Sequence, residues 1–347
     1  MEKKKKIFDL DFIRVISMLM IVTYHFYAHL PGNNIQYFNT IFSSGKWGLI
    51  GVSLFFMISG ASLMYNYQEK LEIKSYAKKR FLGIYPMFWI AYILVFLHMF
   101  YNTKTNIWGL PAYRMIISLF AMDGYLSPYI ATFYLIGEWF LGCIVIIYVL
   151  FPLIRKMVIK YPKTFIAVST IVNLLVLIFY TNGRMPINQN LIVSLYSFIL
   201  GMYMIKIKDF KWWHALIGLV VAIVGYSIQV PNMNLQVLVA NITAYGLYIT
   251  LAFIGDRISN IQIQRIFSTI SKYSYAIFLV HHYLIMQIEA KFQGQSYGAF
   301  GTIMLYLTIW TAIAIASKIL YSINKDILNF FKKEERLQIE EGEKRRN

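Results

Sequence analysis

Three polar residues near the N-terminus lie where a helix would place them on one face. Asp11, Arg14 and His25 stand in the apolar segment DLDFIRVISMLMIVTYHF. At about 100° per residue, the directions of the Arg14 and His25 side chains differ by about 20° around the helix axis, and those of Asp11 and His25 differ by about 40°. A guanidinium binds phosphate groups, and an imidazole with a pKa of about 6.5 transfers protons near neutral pH. This stripe therefore predicts anion binding at one end and proton transfer about 16 Å away.

A second candidate proton-transfer residue is His281, in the segment SKYSYAIFLVHHYL. It stands 14 residues into its own apolar segment, the same depth that His25 reaches from Asp11. We therefore expect the two histidines to face a common polar chamber. The adjacent His282 points about 100° away on a helix, so we expect only one ring of the pair to face that chamber.

No metal site is expected from the sequence. The chain has one cysteine, Cys143, which excludes a disulfide framework and a site built from several cysteines. No mixed His/Cys spacing typical of metal ligands is present. Three further histidines lie near predicted membrane borders, where we expect interfacial roles: His29, His98 and His214.

The elements that position these residues must be membrane helices. The 347 residues are 58% hydrophobic and 14% charged, with a mean hydropathy of +0.55, whereas soluble domains carry about 25% charged residues. This excludes a soluble protein and predicts an all-α polytopic transmembrane helix bundle. About ten segments are long enough to cross a bilayer, near 12–30, 47–66, 84–101, 133–153, 164–181, 191–205, 212–229, 235–254, 267–290 and 298–320.

One further apolar segment is too short to cross. Residues 113–124 carry Arg114 and Asp123, and we interpret them as a half-helix at the membrane surface. We expect residues 1–322 to form the membrane domain and residues 323–347 a charged cytoplasmic tail that frays at its end. The first span has no small-residue cleavage site after it and is expected to be retained.

The distribution of basic residues predicts the orientation. If the N-terminus is cytoplasmic, the inside segments hold 27 Lys and Arg and the outside segments hold 5, as the positive-inside rule requires. Both termini are then cytoplasmic, in a multi-pass protein of the plasma membrane. The net charge of +17 is explained by topology and lipid contact, so no nucleic-acid partner is invoked.

Other residues could complete a site along the chamber. The loop before the third span ends in YAKKRFLGIYP, where Lys79 and Arg80 could join Arg14 in binding phosphate. Ser59 lies among small residues of the second span, which packing alone also explains. Glu138, one turn into the fourth span from outside, is either a helix-end carboxylate or a base facing the chamber.

Five sequence blocks together resemble the acyltransferase-3 family of polytopic membrane acyltransferases. Arg14 and His25 match the family's motif of a basic residue and a histidine separated by ten residues. The blocks run in order from residue 10 to residue 281, and they are LDFIRVISMLMIVTYHF, GVSLFFMISG, RFLGIYP, WFLGCIVIIYVLFP and SYAIFLVH. One departure concerns the third block, where Gly83 stands at the position of a second arginine that is common in the family.

The resemblance implies transfer of an acyl group, acetyl in the usual case, from cytoplasmic acyl-CoA to an extracytoplasmic glycan. The donor's phosphates would bind Arg14 and Arg80, with its pantetheine arm along the first helix. His25 would act as general base, and His281 would orient it or polarise the thioester. Hydrogen bonds to the donor are expected from Ser59 and Tyr275.

Several alternatives stay open at this stage. Direct transfer and a transient acyl-His25 intermediate both fit the residues, as do acetyl and succinyl donors. Buried polar groups and ten spans also suit a transporter or flippase for a glycan or lipid-linked intermediate. Neither a duplicated half nor helices broken at matching positions are evident in the sequence, and these features would favour transport.

Overall fold

A computed structural model describes residues 7–30, 46–103, 109–137, 139–181, 183–207, 209–292 and 298–344. These residues form α-helices joined by turns and short 3-10 helices, with no β-strand among them. The α-helices are α1 (Phe8–His29), α2 (Lys46–Tyr67), α3 (Ile73–Thr103), α4 (Met115–Leu119), α5 (Asp123–Leu126), α6 (Trp139–Lys160), α7 (Pro162–Phe179), α8 (Leu191–Met204), α9 (Trp212–Ser227), α10 (Met233–Arg257), α11 (Ile261–Glu289) and α12 (Ala299–Lys344).

Each of the ten predicted spans corresponds to one of these helices, so the all-α polytopic bundle is confirmed. Seven helices are long and apolar enough to cross a membrane: α1, α2, α3, α6, α7, α10 and α12. The apolar helices α8 and α9 are shorter. The count of ten spans and the cytoplasmic position of both termini stay predictions.

The starts of several helices follow from local chemistry. Asn190, Asn232 and Asn260 precede α8, α10 and α11, and each side-chain oxygen accepts a backbone N–H of the first turn. These caps satisfy donors that a helix N-terminus leaves without intrahelical partners. Pro162 occupies the first position of α7, where a missing N–H costs nothing.

Two predicted boundaries are corrected by backbone conformation. Helix α6 begins at Trp139 instead of residue 133, because Tyr134 and Gly137 have positive φ values of 39° and 74°, which a right-handed helix does not accommodate. Segment 113–124 does not form one half-helix. It forms the short helices α4 and α5, which are separated at Ala121 with φ of 57°.

Helix α3 corrects a third boundary, because it begins at Ile73 and extends well before the predicted span. The basic cluster that ends in Lys79 and Arg80 therefore lies on a helix and not in a loop. Helix α12 continues from Ala299 to Lys344, through the expected division between residues 322 and 323. That domain division stays a prediction.

Helix α1 lies at the centre of the bundle, packed against α2, α10 and α11. Most of its apolar side chains are buried, and Ile13 and Phe26 are fully buried. The peripheral helices α7 and α9 instead expose large apolar side chains, including Ile178 and Val220, as expected for surfaces that face lipid. The helix that carries Arg14 and His25 is therefore shielded from lipid by its neighbours.

Glycines allow α2 and α8 to approach closely. A Cβ atom built on Gly60 would lie 1.9 Å from the carbonyl oxygen of Phe198, and one built on Gly201 would lie 1.9 Å from that of Met57. No larger residue fits either position without moving a backbone. The small residues that the sequence shows in the second span thus have a packing role, as in other membrane helix pairs.

Contacts between helix ends agree with the alternation of the predicted spans. The Lys46 ammonium at the start of α2 donates to the carbonyl oxygens of Tyr226 and Ile228 at the end of α9. At the opposite ends, Arg155 of α6 donates to the carbonyl oxygen of Gln68 at 2.9 Å. Ends that the charge distribution assigns to one side therefore meet in the structure, while the identity of the cytoplasmic side stays a prediction.

Candidate active site

A cavity of about 730 Å³ extends along α1 and is lined by residues of α1, α2, α3, α6, α8, α10 and α11. Five of the residues singled out in the sequence line this one cavity. They are Arg14, His25, Ser59, Arg80 and Tyr275. The structure thus brings Arg14 and His25 into a common chamber, as their spacing on α1 suggested, whereas His281 does not line it.

Arg14 is held in place by a buried carboxylate and by helix α11. Its guanidinium lies 3.1 Å from Asp11 and donates to the Ser271 hydroxyl at 2.8 Å. Asp11 also accepts hydrogen bonds from Ser268 at 2.9 Å and from Ser271 at 2.7 Å. Since a buried charge is costly without a partner, Asp11 makes it possible for a cation to face the cavity at this depth.

Arg80 supplies a second cation to the same end of the cavity. Its guanidinium carbon lies 5.7 Å from the ring centroid of Tyr148, a distance at which a cation is attracted by an aromatic face. Gly83 and Ile84, three and four residues later on α3, line the cavity beside it. Lys79 is exposed and does not line the cavity, so the structure does not bring this predicted phosphate-binding residue into the site.

Gly83 leaves open space at the position where the family commonly has arginine. A Cβ atom built there meets no atom within 4 Å. The missing side chain is therefore not replaced by a neighbouring group, and this part of the cavity wall is open.

Histidines from two helices surround the other end of the stripe. The ring centroid of His25 lies 5.2 Å from that of His281 and 4.7 Å from that of His282. His281 is fully buried, and its Nδ1 lies 2.7 Å from the carbonyl oxygen of Phe278. This contact requires a hydrogen on Nδ1, which fixes the orientation of the ring. Both rings of the adjacent pair approach His25, but neither His281 nor His282 lines the cavity, so the expectation that one of them faces the chamber is not confirmed.

His29 also belongs to this group of histidines, although the sequence predicted a position at the membrane border. Its Nε2 lies 2.8 Å from Nε2 of His282. One imidazole nitrogen from each of His25, His29 and His282 lies within 4.8 Å of the others, a spacing that could hold a metal ion. The separation of four residues between His25 and His29 was the signal in the sequence, since such residues share a helix face. This spacing was not expected from the sequence, which predicted no metal site.

The other proposed site residues have different outcomes. The Tyr275 hydroxyl donates to the carbonyl oxygen of Ile84 at 3.0 Å, so it ties α11 to α3 along the cavity wall. Ser59 lies half-buried in the opposite wall on α2. Glu138 lies outside the described residues.

A set of polar residues in the wall was not predicted. They all line the cavity and carry amide or hydroxyl side chains: Ser53, Asn188, Gln189, Gln236 and Asn241. Ser53 donates to Asn241 at 2.6 Å between α2 and α10. Polar residues inside apolar spans are costly and commonly functional, and Asn241 in the eighth predicted span carried that signal.

Comparisons with known proteins agree with this geometry. The acyltransferase MdmB of Streptomyces mycarofaciens is 26% identical to the chain over 117 residues. The match spans 33% of this chain and 30% of that relative's length. No solved structure matches the chain at a significant level.

A family comparison covers far more of the chain. The family described as an acyltransferase domain, acyltransferase-3, matches residues 7–320, which include every helix that lines the cavity. With Arg14 and His25 brought into one chamber by α1, this match leads to one conclusion. The chain belongs to the acyltransferase-3 family.

Proposed function

We propose that this protein is a membrane O-acyltransferase that moves an acyl group from cytoplasmic acyl-CoA to a hydroxyl group of an extracytoplasmic acceptor. The acyl group is acetyl, the acceptor is a glycan of the cell envelope, and the membrane is the plasma membrane. The observation that carries the proposal is the single cavity lined by Arg14 at one end and His25 at the other. Such a cavity would allow a donor bound at Arg14 to meet an acceptor beside His25.

The donor half of the proposal depends on the paired cations. Arg14 and Arg80 approach the same end of the cavity from α1 and α3. Arginine binds phosphate through several charge-assisted hydrogen bonds, and acyl-CoA carries phosphates at the end opposite its thioester. Eleven helical steps separate Arg14 from His25 by about 16 Å, a length comparable with an extended pantetheine arm. A donor anchored at Arg14 would therefore present its thioester near His25.

The chemical step requires one base. His25 would accept the proton of the acceptor hydroxyl while that oxygen attacks the thioester carbonyl carbon. The new C–O bond forms, the C–S bond breaks, and the departing thiolate of CoA takes the proton from the His25 imidazolium. Direct transfer of this kind needs no acyl-enzyme. The alternative through acyl-His25 uses the same residue as nucleophile.

His281 is suited to position the base. It is fully buried against the His25 ring, and its own ring is held by the carbonyl oxygen of Phe278. A fixed neighbouring ring restricts the rotamers of His25. Residues that hold a base in place in this way contribute to catalysis through orientation.

Amide and hydroxyl side chains suit a sugar acceptor. Three amide side chains line the cavity near the N-terminal ends of α8 and α10: Asn188, Gln189 and Gln236. In the same cavity, Gly48 of α2 lies against the ring of Tyr24, the residue before His25. Amides offer both donors and acceptors to hydroxyl groups. The acceptor would enter at this end, which the charge distribution places outside.

The decisive experiment measures ester-linked acetate on cell-surface glycans. Cells expressing the wild-type protein or His25→Gln are supplied with labelled acetate, and base-labile label is quantified in the glycan fraction. Because general base catalysis contributes about 10²- to 10⁴-fold, we expect the label from His25→Gln to fall to background. The control His214→Gln alters a half-buried imidazole at the start of α9, outside the cavity lining, and is expected to retain transfer.

Labelled ester at the wild-type level in His25→Gln would contradict the proposal. Membrane insertion of each variant is checked by its abundance in the membrane fraction and by monodisperse gel filtration in detergent. A glycan that reaches the surface without ester, and does so only when the protein is present, would instead indicate the flippase alternative.

A further inference from the structure

We propose that His25, His29 and His282 form a site for one zinc ion at the end of α1 that the charge distribution places outside. Each contributes one imidazole nitrogen, and these nitrogens lie within 4.8 Å of one another. The inference concerns the regulation of the proposed active site. It therefore rests, in its inhibitory part, on the proposed function.

The geometry of the three rings favours a common ligand. His25 and His29 lie one turn apart on α1 with their rings nearly parallel, at an interplanar angle of 12° and a centroid distance of 6.2 Å. His282 approaches from α11, with its ring centroid 4.7 Å from that of His25 and 4.8 Å from that of His29. The ring on α11 thus lies against both rings on α1.

The nitrogen spacing is close to that of a coordinated ion. Zinc–nitrogen distances of about 2.0–2.1 Å in a tetrahedron place ligand nitrogens about 3.3 Å apart. The nitrogens of His29 and His282 lie 2.8 Å apart, and the largest separation in the group is 4.8 Å. Shortening the widest separation to about 3.3 Å requires a shift of about 1.5 Å, a distance that changes in side-chain torsion angles can supply.

The ligand chemistry selects a borderline transition-metal ion. Imidazole nitrogen suits zinc, copper and nickel, whereas calcium and magnesium prefer oxygen ligands. Three protein ligands and an open fourth position are the arrangement of many zinc sites that bind water or substrate. His29 is exposed, while His25 and His282 are half-buried, so an ion has access from the surface.

Zinc binding would stop the proposed reaction. A neutral imidazole that coordinates a metal through one nitrogen carries its hydrogen on the other, so His25 would have no lone pair left to accept a proton. Zinc outside the cell would therefore inhibit acyl transfer reversibly, and a chelator would restore it.

The binding experiment uses the purified full chain in detergent after removal of metals with EDTA. Calorimetric titration with zinc chloride is expected to give one ion per chain for the wild-type protein and for the control His214→Gln. His29→Gln and His282→Gln keep the size and hydrogen-bonding capacity of the side chains, and each is expected to weaken zinc binding by at least about tenfold. Thermal unfolding of each variant without zinc confirms that it is folded.

Cobalt(II) supplies a spectroscopic measurement of the same site. We expect visible absorption typical of a tetrahedral nitrogen-ligated ion in the wild-type protein and its loss in His29→Gln and His282→Gln. Absence of zinc binding, or binding that survives in both folded variants, would overturn the inference. Copper or nickel binding to these histidines without zinc binding would overturn the choice of metal.

An activity measurement separates this inference from the proposed function. Transfer by the metal-free protein tests the function alone, and its absence would contradict the function while leaving the binding result intact. If transfer occurs, we expect zinc to inhibit the wild-type protein and to inhibit His29→Gln at least about tenfold less potently. Zinc that binds without inhibiting would overturn the regulatory part.

Discussion

The carboxylate of Asp11 lies 3.1 Å from the guanidinium of Arg14, one helical turn away on α1. Only 3% of the Asp11 side chain is exposed, compared with 25% of that of Arg14. The Asp11 carboxylate is thus enclosed by Ser268 and Ser271 of α11, while the Arg14 guanidinium faces the cavity. This arrangement gives the cation a defined direction, which a solvated surface pair would lack.

We expect Asp11→Asn to raise the KM for acetyl-CoA about tenfold while kcat stays unchanged. The substitution keeps the shape of the side chain but removes the charge that orients Arg14, and a charge-assisted hydrogen bond contributes about 1.5–3 kcal/mol. Initial rates over a range of acetyl-CoA concentrations measure both constants. The exposed Asp209 provides a matched control, since Asp209→Asn makes the same change on the surface. An equal KM in the two variants would refute the positioning role.

A second prediction concerns the open space at Gly83. We expect Gly83→Arg to lower the KM for acetyl-CoA by about five- to tenfold, because a third guanidinium would start three residues from Arg80, at a position where a Cβ meets no atom within 4 Å. The gain is expected to shrink as salt is added, since screening weakens exposed charge interactions. Gly83→Gln adds a long side chain without charge and serves as the control. If both variants had the same KM, the proposed phosphate contact would be wrong.

A third prediction concerns the contact between α2 and α8. We expect Gly201→Ala to lower the free energy of unfolding by about 1–3 kcal/mol, because the added methyl group would lie 1.9 Å from the carbonyl oxygen of Met57. Thermal unfolding in detergent measures the loss. Gly83→Ala makes the same change in another helix, where a Cβ meets no atom within 4 Å. Alanine is favoured over glycine in helices, so this control is expected to be equally or more stable than the wild type.

A fourth prediction tests the polar wall as the acceptor site. We expect Gln189→Ala to raise the KM for the acceptor glycan about three- to tenfold, because one hydrogen bond contributes about 0.5–1.5 kcal/mol. The KM for acetyl-CoA is expected to stay unchanged, since Gln189 and Arg14 lie at opposite ends of the cavity. The measurement varies glycan concentration at saturating acetyl-CoA. Gln262 is exposed at the start of α11, and Gln262→Ala is the control. If the KM for acetyl-CoA rose instead, Gln189 would belong to the donor site, and the proposed positions of donor and acceptor in the cavity would be wrong.

The helical class, the approximate position of each long helix and the face that Arg14 and His25 share could all be predicted from the sequence. These properties depend on composition and on the period of a single helix, which are local. The prediction that Arg14 and His25 share a face is confirmed for that reason, because both lie on α1 and one rotation angle relates them. The position of Glu138 was not tested, as it lies outside the described residues.

Which side chains from other helices meet that face depends on how the helices pack in three dimensions. Lys79 and Arg80 are adjacent in the chain, yet only Arg80 lines the cavity, because α3 packs with one face inward. His29 and His282 are brought within 2.8 Å of each other by the crossing of α1 and α11. Such contacts depend on how closely helices approach, as at Gly60 and Gly201, and packing between distant segments is not encoded in the period of either one.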